Sequence, residues 1–441
     1  MSAFIIALIL FGITYVLLFS LPKYRAYIAF GSAVVFSLWL SLLCNDIDFT
    51  FKDVIGSIDF NILMMITGTM GIVSLFIESK MPMKIADLLL SKFKNVRSAI
   101  VVMAVLAGIV SAFVDNVATV LMIAPIALAV CKKQNMSPVY PIIAIAISSN
   151  LQGAATLVGD TTSILLGGYA NMTFFDFFVF KGNLGIFWAV EIGAALTAII
   201  LWIIFRKEKD PLTISEKTEV TDYVPSILMV GVILSLIAAS FIKEPTSGAQ
   251  LTIYNLRNGL ICMLLLLIGL LINIFKTKNL KSTINVFKEI DYQTLLLLAS
   301  LFVVIQGITS AGVIDKLADV LVAVGGSNLF LMYTIIVFAS VLISAFIDNI
   351  PYVLTMLPVV TGVSLSMGVD PYVLYFGLLI GATLGGNITP IGASANITGI
   401  GILRKEGYEV KAKTFMKISI PFTLTAVLSG YAFIWLTWGI L

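Results

Sequence analysis

Histidine is absent from this 441-residue chain, and cysteine and charge are both scarce. Without histidine the chain lacks the commonest metal ligand and the usual proton shuttle at neutral pH. Its three cysteines, Cys44, Cys131 and Cys262, lie in or beside apolar windows without CxxC spacing, so they predict neither a disulfide nor a zinc site. The motifs HExxH and GxSxG are also missing, which disfavours hydrolytic chemistry.

Charge is scarce because the chain is apolar. Only 12% of its residues are charged and 59% are hydrophobic, against about 45–50% apolar residues in a soluble domain. The net charge of +3 is small, and the basic residues lie between apolar windows, so no nucleic-acid partner is predicted. Many windows are long enough to cross about 30 Å of hydrocarbon as helices. The composition therefore predicts an all-α polytopic protein surrounded by membrane lipid.

The apolar windows predict ten crossings and two re-entrant hairpins. The hairpins are 98–131 and 328–365, and the crossings are 3–20, 26–45, 60–78, 139–170, 184–205, 226–243, 258–275, 292–310, 371–402 and 416–438. With the N-terminus outside, 22 of the 27 basic residues face the cytoplasm, as the positive-inside rule requires. Arg97 and Lys132 flank the first hairpin window and both lie inside only if that window does not cross. We expect a multi-pass protein of the plasma (inner) membrane.

An internal repeat divides the chain. Residues 111–125 (SAFVDNVATVLMIAP) and 344–358 (SAFIDNIPYVLTMLP) agree at eight of fifteen positions, where about one match is expected from composition. We predict a first repeat at 1–205, a cytoplasmic linker at 206–225 and a second repeat at 226–441. Each repeat has five crossings and one hairpin, and the two are inverted in the membrane, as in many secondary transporters.

Four stretches interrupt helices at membrane depth. Two are the hairpin tips at 115–116 and 348–351, and two are the glycine-rich segments 149–163 and 381–396 within the broken helices 139–170 and 371–402. Unpaired backbone groups in hydrocarbon cost several kcal/mol unless they line a cavity or bind something. Glycine and proline can also simply kink a helix, but matched breaks in both repeats favour a binding site between them.

Three intramembrane carboxylates, Asp115, Asp160 and Asp348, lie at these breaks. A charge at the bilayer centre costs about 2.5–3.5 kcal/mol or more, so such residues are functional by default. The structural alternative is that Asp115 and Asp348 only cap a helix. Asp160 has Ala393 as its repeat mate, which suggests a role performed once, in proton coupling or substrate contact.

The candidate substrate- and ion-binding residues come from both repeats. They are Asp115, Asn116, Thr119, Asn150, Thr156, Gly159, Asp160, Thr161, Asp348, Asn349, Gly386, Asn387, Thr389, Gly392, Ser394 and Asn396. Of these, Asp115, Asn116, Asp348 and Asn349 are the candidate Na⁺ ligands, because hard oxygen donors suit such a cation. No catalytic residue is predicted, and no cofactor is expected beyond Na⁺ as a coupling ion.

The motifs DNVATVLMIAP and DNIPYVLTMLP, each followed by a broken helix, resemble those of the ion transporter superfamily, the citrate-transporter-like permeases. LVGDTTS and GGNITPIGASANITGIG are most similar to the branch of arsenite efflux permeases, the P protein and D-type sodium/proton antiporters. The resemblance covers nearly the whole chain. It implies a scaffold domain, a moving transport domain that carries both hairpins, elevator-type alternating access and a homodimer.

These observations favour a secondary active transporter that couples a small inorganic ion or oxyacid to Na⁺ or H⁺. Its substrate is arsenite or antimonite or a related oxyacid, Na⁺ exchanged for protons, or an anion such as a di- or tricarboxylate. The three carboxylates favour a cation or a neutral oxyacid. An ion channel would share the buried polar groups but needs a continuous pore. A membrane aspartyl protease would need a catalytic dyad motif in place of the duplicated Asp-Asn.

Overall fold

The computed structural model describes residues 3–44, 49–93, 95–208, 210–211, 218–220, 222–278 and 280–440. The first half of the chain contains α1 (Ala3–Ser20), α2 (Arg25–Leu38), α3 (Phe51–Gly56), α4 (Phe60–Glu78), α5 (Met81–Leu90), α6 (Val96–Ser111), α7 (Asn116–Lys133), α8 (Val139–Gly153), α9 (Thr161–Tyr169) and α10 (Ile186–Ile204). Before α10, β1 (Val179–Phe180) and β2 (Asn183–Leu184) form an antiparallel hairpin. Apart from an isolated β-bridge between Asn95 and Pro211, the rest of the described chain is helical or irregular.

The second half has the same order of helices. It contains α11 (Val224–Ala239), α12 (Ala249–Thr277), α13 (Leu280–Glu289), α14 (Tyr292–Ser310), α15 (Val313–Gly325), α16 (Leu329–Ser344), α17 (Asn349–Met367), α18 (Tyr372–Gly385), α19 (Ser394–Lys405) and α20 (Ala412–Ile434). Thus α4 to α10 correspond one by one to α14 to α20. The opposite membrane orientations of the two halves, and the division at 205 and 226, stay predictions.

Matched local signals begin the corresponding helices. Asp59 caps α4 and Asp291 caps α14 through hydrogen bonds from backbone N–H groups to their carboxylates. Asn95 and Asn328 cap α6 and α16 through their side-chain oxygens, at 2.8 and 3.0 Å. Short Asp and Asn side chains favour this position because they satisfy N–H groups that have no partner within the helix. The repeat is therefore visible in the helix starts as well as in the tip motif.

The number of apolar helices agrees with a polytopic membrane protein. Within the described residues, nine helices are long and apolar enough to cross a membrane, or ten if α15 and α16, bent by 117°, count as one span. The broken helices are too short to be counted because each half is interrupted. An all-α polytopic membrane fold is confirmed. Whether α6–α7 and α16–α17 enter and leave on one face stays a prediction.

Two helices begin before the apolar windows from which they were predicted. Helix α12 begins at Ala249 rather than at 258, because Arg257 does not end it: its guanidinium lies 3.8 Å from the ring centroid of Tyr254 and donates to the carbonyl of Tyr254 at 2.8 Å. Helix α11 begins inside the predicted linker 206–225, whose residues 209, 212–217 and 221 lie outside the described residues. Charge alone therefore marks a helix end poorly when the side chain folds back on its own helix.

The halves exchange packing partners. Helix α12 lies along α4, and α2 lies along α14, so the second long helix of each half packs on the other half. In the centre, α6 and α7 pack on α8, while α16 and α17 pack on α18. Every residue from 141 to 167 and from 373 to 387 is buried. The two broken helices thus form the interior of the molecule, and their interruptions lie there with them.

Candidate functional site

The two hairpin tips begin α7 and α17 with an aspartate. Oδ1 of Asp115 accepts hydrogen bonds from the N–H groups of Val117 and Ala118 at 3.0 and 3.1 Å. Oδ1 of Asp348 accepts from the N–H of Ile350 at 3.1 Å. Both residues are therefore helix caps. The cap uses one oxygen of each carboxylate and does not require a charge, because asparagine caps a helix equally well.

The second carboxylate oxygens have different surroundings. Oδ2 of Asp348 forms an ion pair with Nη1 of Arg25, the first residue of α2. Among the residues described by the structure, no lysine or arginine forms an ion pair with Asp115. The two tips, alike in sequence, therefore differ in electrostatics: the second is compensated by a guanidinium, and the first is not.

Asp160 caps the second part of the first broken helix. Its Oδ1 accepts from the N–H of Thr161 at 2.9 Å, and its Oδ2 accepts from the hydroxyl of Thr162 at 2.6 Å. Nδ2 of Asn116 lies 3.4 Å from Oδ1. The residue is 5% exposed. Asp160 thus brings a carboxylate with neutral partners next to the first tip.

Each tip is fastened to its broken helix by a close backbone contact. A Cβ on Gly159 would lie 2.6 to 2.8 Å from the carbonyl oxygens of Gly153, Ser111 and Ala112, and one on Gly392 would meet the carbonyl oxygens of three residues at 2.6 to 2.9 Å. Real Cβ atoms do not approach so closely, so both positions require glycine. The hydroxyl of Thr156 donates to the carbonyl of Ala112. Thr389 makes the matching bond to Ala345.

A buried amide network joins the two halves. Nδ2 of Asn116 donates to Oδ1 of Asn150 at 3.0 Å, and Nδ2 of Asn150 donates to the carbonyl of Thr383 at 2.8 Å and to Oδ1 of Asn387 at 3.1 Å. Nδ2 of Asn387 donates to the carbonyl of Ile147 at 2.9 Å. Buried amides are stable only when paired in this way. The network fixes the first tip relative to both broken helices.

Residues of both halves line one cavity of about 480 Å³. Its lining includes Asp115, Asn116, Asp160 and Thr161 from the first half and Asn349 and Ser394 from the second. A second cavity of about 430 Å³ contains Arg25 and Asp348 and shares Asp291, Thr294, Ile350 and Ser394 with the first. The two hairpin tips therefore line two adjoining cavities that share four residues.

The main cavity is acidic. Its lining carries the carboxylates of Glu78, Asp115, Asp160, Glu289 and Asp291, and among the described residues it contains no lysine or arginine. Carboxylates that converge on a cleft with apolar walls attract cations strongly. Next to it lies a chamber of about 20 Å³, in which Asp115, Asp160, Thr69 and Thr161 are the polar residues of an otherwise apolar lining. Such a chamber has room for about one water molecule or small ion.

Not all the predicted site residues reach these cavities. Gly159 lines only the small chamber. Eight others line none of the three cavities and support the site instead: Thr119, Asn150, Thr156, Gly386, Asn387, Thr389, Gly392 and Asn396. Asn396, for example, donates to the carbonyls of Gly386 and Thr389 at 3.1 Å each and holds the second break in shape. Thr119 is fully buried, and its hydroxyl has no partner among the described residues.

Arg25, Asp291 and Glu289 belong to the cavity lining but were not predicted. Arg25 was used only as a marker of the cytoplasmic side, since it lies between two apolar windows. Asp291 did carry a signal, because it matches Asp59 in the repeat and follows the same Ile-Asp-aromatic pattern. Its contact with the site depends on how α14 packs, which the pattern does not reveal.

Sequence comparisons extend over nearly the whole chain. Residues 6–381 match the profile of the citrate transporter family. An uncharacterized transporter of Mycobacterium tuberculosis is 28% identical over 442 residues, which cover 99% of each chain. The P protein of Mus musculus is 25% identical over 455 residues, which cover 86% of this chain and 54% of the P protein.

A solved structure has the same fold. The YdaH transporter of Alcanivorax borkumensis superimposes with a TM-score of 0.58 and 14% sequence identity. The superposition covers 93% of this chain and 96% of that protein. At this level of identity the likeness concerns the arrangement of helices and not the solute.

Proposed function

The chain belongs to the citrate transporter family and is a multi-pass membrane transporter, and we propose that it is a secondary active transporter for a small inorganic ion or oxyacid, coupled to Na⁺ or H⁺. One observation carries this proposal. Tip residues of both hairpins, Asp115 and Asn349, line the same cavity. Binding between two repeats near the middle of the membrane is the arrangement that alternating access requires.

The acidic lining of the main cavity supports a cation as the coupling ion. Na⁺ prefers hard oxygen ligands, and the first tip offers the free carboxylate oxygen of Asp115, the carboxylate of Asp160 and the nearby hydroxyl of Thr69. Asn116 adds an amide, and Asp348 and Asn349 are the matching residues at the second tip. A proton on Asp115 or Asp160 would neutralise the same charges, so H⁺ remains the alternative coupling ion.

The same acidity favours particular substrates. A neutral oxyacid such as arsenite or antimonite, or Na⁺ itself in exchange for protons, enters the cavity without repulsion. A second candidate is a di- or tricarboxylate, because Lys23 and Arg25 line the adjoining cavity and guanidinium groups bind carboxylates well. In that case bound cations must first offset the carboxylates of the main cavity.

The conformation fits an inward-facing state. The main cavity is lined in part by Glu78 at the end of α4 and by Asn285 and Glu289 on α13. The positive-inside rule supports a cytoplasmic position for this end of α4. We propose that the N-terminus is outside and that the protein lies in the plasma (inner) membrane. Transport would proceed by an elevator movement of the part that carries both hairpins, within a homodimer.

The proposal is tested with purified protein in proteoliposomes. Solute uptake is measured for arsenite, antimonite, Na⁺ and citrate, each under an imposed Na⁺ gradient, a pH gradient or neither. We expect uptake of one solute to depend on one cation gradient, and Asp115→Asn to abolish that dependence. The control is Asp370→Asn, which removes an exposed carboxylate paired with Lys181. Full coupled uptake in Asp115→Asn would contradict its role as a ligand. Single-channel currents would show that the protein is a channel and not a carrier.

A further inference from the structure

The matched positions around the two tips differ in a consistent way. At the first tip, Asp115 has Thr69 on α4 and Asp160 at the break as polar neighbours. The repeat mates of these two neighbours are Leu301 and Ala393. The second tip therefore has the matching aspartate, Asp348, but lacks counterparts of the Thr69 hydroxyl and the Asp160 carboxylate.

A permanent positive charge lies beside the second tip. Nη1 of Arg25 pairs with Oδ2 of Asp348, and the two side chains are 26% and 12% exposed. Nε of Arg25 donates to the carbonyl of Pro22 at 3.2 Å, which orients the guanidinium. A guanidinium stays charged throughout the physiological pH range. Asp348 is thus neutralised whether or not any ion is present in solution.

A further contact attaches the second tip to the N-terminal helices. The hydroxyl of Tyr15 on α1 donates to the carbonyl of Pro351 at 2.9 Å and also contacts the hydroxyl of Thr355. Pro351 and Thr355 both lie in the first turns of α17. Arg25 is therefore part of a defined contact between α1–α2 and the second tip, and not a mobile surface side chain.

These differences bear on the number of coupling ions. Oxygen atoms of Asp291, Thr294 and Ser394 line the same cavity as Asp348, but a small cation placed against Asp348 would be repelled by Arg25. Building on the function proposed above, we propose that Arg25 is a resident cation that replaces a second coupling ion. One cation, bound at the first tip by Asp115 and Asp160, is then coupled in each transport cycle.

The experiment measures initial uptake against Na⁺ concentration at fixed pH, and against pH at fixed Na⁺, in proteoliposomes. For the unmodified protein we expect a hyperbolic dependence on the coupling cation, with a Hill coefficient of about 1, since the coefficient is limited by the number of sites. A sigmoidal dependence with a coefficient of about 2 would overturn the inference. This measurement needs no substitution, so it does not depend on the folding of a variant.

Three variants separate a resident cation from an ordinary structural ion pair. In Arg25→Gln the carboxylate of Asp348 is uncompensated, so we expect it to recruit a second cation and the dependence to become sigmoidal. In the double variant Arg25→Gln with Asp348→Asn neither charge remains, so the hyperbolic form should return. The control is Lys132→Gln, which breaks the ion pair between Lys132 and Glu406 away from the tips.

An unchanged hyperbolic dependence in folded Arg25→Gln would show that the pair is only structural and would overturn the inference. Folding is checked by thermal unfolding and by elution as a single species. The outcome is also distinct from failure of the proposed function. Uptake that responds to no cation gradient refutes cation coupling as a whole, whereas cation-coupled uptake with two sites refutes only the role of Arg25.

Discussion

Asp160 carries a carboxylate in the interior, and in the described structure its partners are the N–H of Thr161, the hydroxyl of Thr162 and the amide of Asn116. Neutral donors lower the free energy of a buried anion, but they do not cancel its charge. Its repeat mate, Ala393, shows that the broken helix can form without a carboxylate at this position. A carboxylate is therefore not needed at this position for the fold, which is consistent with the cation or proton binding proposed for Asp160.

Replacing Asp160 by asparagine keeps an oxygen for the N–H of Thr161 but removes the charge. We expect cation-driven uptake to fall by about tenfold or more, equivalent to about 1.4 kcal/mol of lost binding. Thermal stability should change little, since the cap is retained. Uptake in proteoliposomes and thermal unfolding check both points, with Asp319→Asn, an exposed carboxylate near Lys316, as control. Undiminished coupling in Asp160→Asn would assign the residue to structure alone.

The tip residues could be found from the sequence because the repeat presents Asp-Asn twice. Arg25 could not, because its partner Asp348 is 323 residues away and no local pattern connects them. The roles of Thr156 and Thr389 were also hidden: a threonine that binds a cation and one that donates to a carbonyl are identical in sequence. Only the packing distinguishes a ligand from a support.

At the scale of elements, the starts of α4 and α14 could be predicted, because an aspartate cap begins each helix. A left-handed residue follows each helix, and glycine signals it at Gly312 (φ 74°), whereas nothing in the sequence signals it at Lys80 (φ 60°). The start of α12 was missed because Arg257 folds back on its own helix. The packing of α12 on α4 was not predictable either, since it pairs segments of different halves. Local sequence signals thus determine where helices begin and end, whereas contacts between residues distant in sequence determine which side chains meet at the site.

The close contact between tip and broken helix leads to a prediction about stability. Gly159→Ala places a methyl group against three carbonyl oxygens, and overpacking of this kind costs about 1–3 kcal/mol. Gly231→Ala on α11 is the matched control, because a Cβ there meets nothing within 4 Å, and the change should be neutral or stabilise the helix. Thermal unfolding in detergent measures both. Equal midpoints for the two variants would contradict the close approach.

At the scale of the whole molecule, the hairpin prediction fixes the sides on which loops lie. Ser91 and Ser137 flank α6–α7, and both side chains are exposed. If α6–α7 is a re-entrant hairpin, both loops face the cytoplasm, whereas Glu244, in the loop after α11, faces outward. A span that crosses once would place Ser91 and Ser137 on opposite sides.

Single cysteines at these three positions, in a chain lacking Cys44, Cys131 and Cys262, test this arrangement. An impermeant thiol reagent added to intact cells should label Glu244→Cys at once. It should label Ser91→Cys and Ser137→Cys only after the membrane is permeabilised. Labelling of only one of the two serine positions in intact cells would refute the hairpin, whereas labelling of both would keep the hairpin and invert the predicted topology.

The exchange of long helices between the halves has a consequence for biogenesis. When α4 leaves the ribosome, its final neighbour α12 has not yet been made, so the face of α4 that α12 will cover must rest on lipid or on the insertion machinery. The first half therefore waits, incompletely assembled, until the second is inserted. Substitutions in α12 that spare every solute-binding group would accordingly lower the amount of mature protein rather than its turnover.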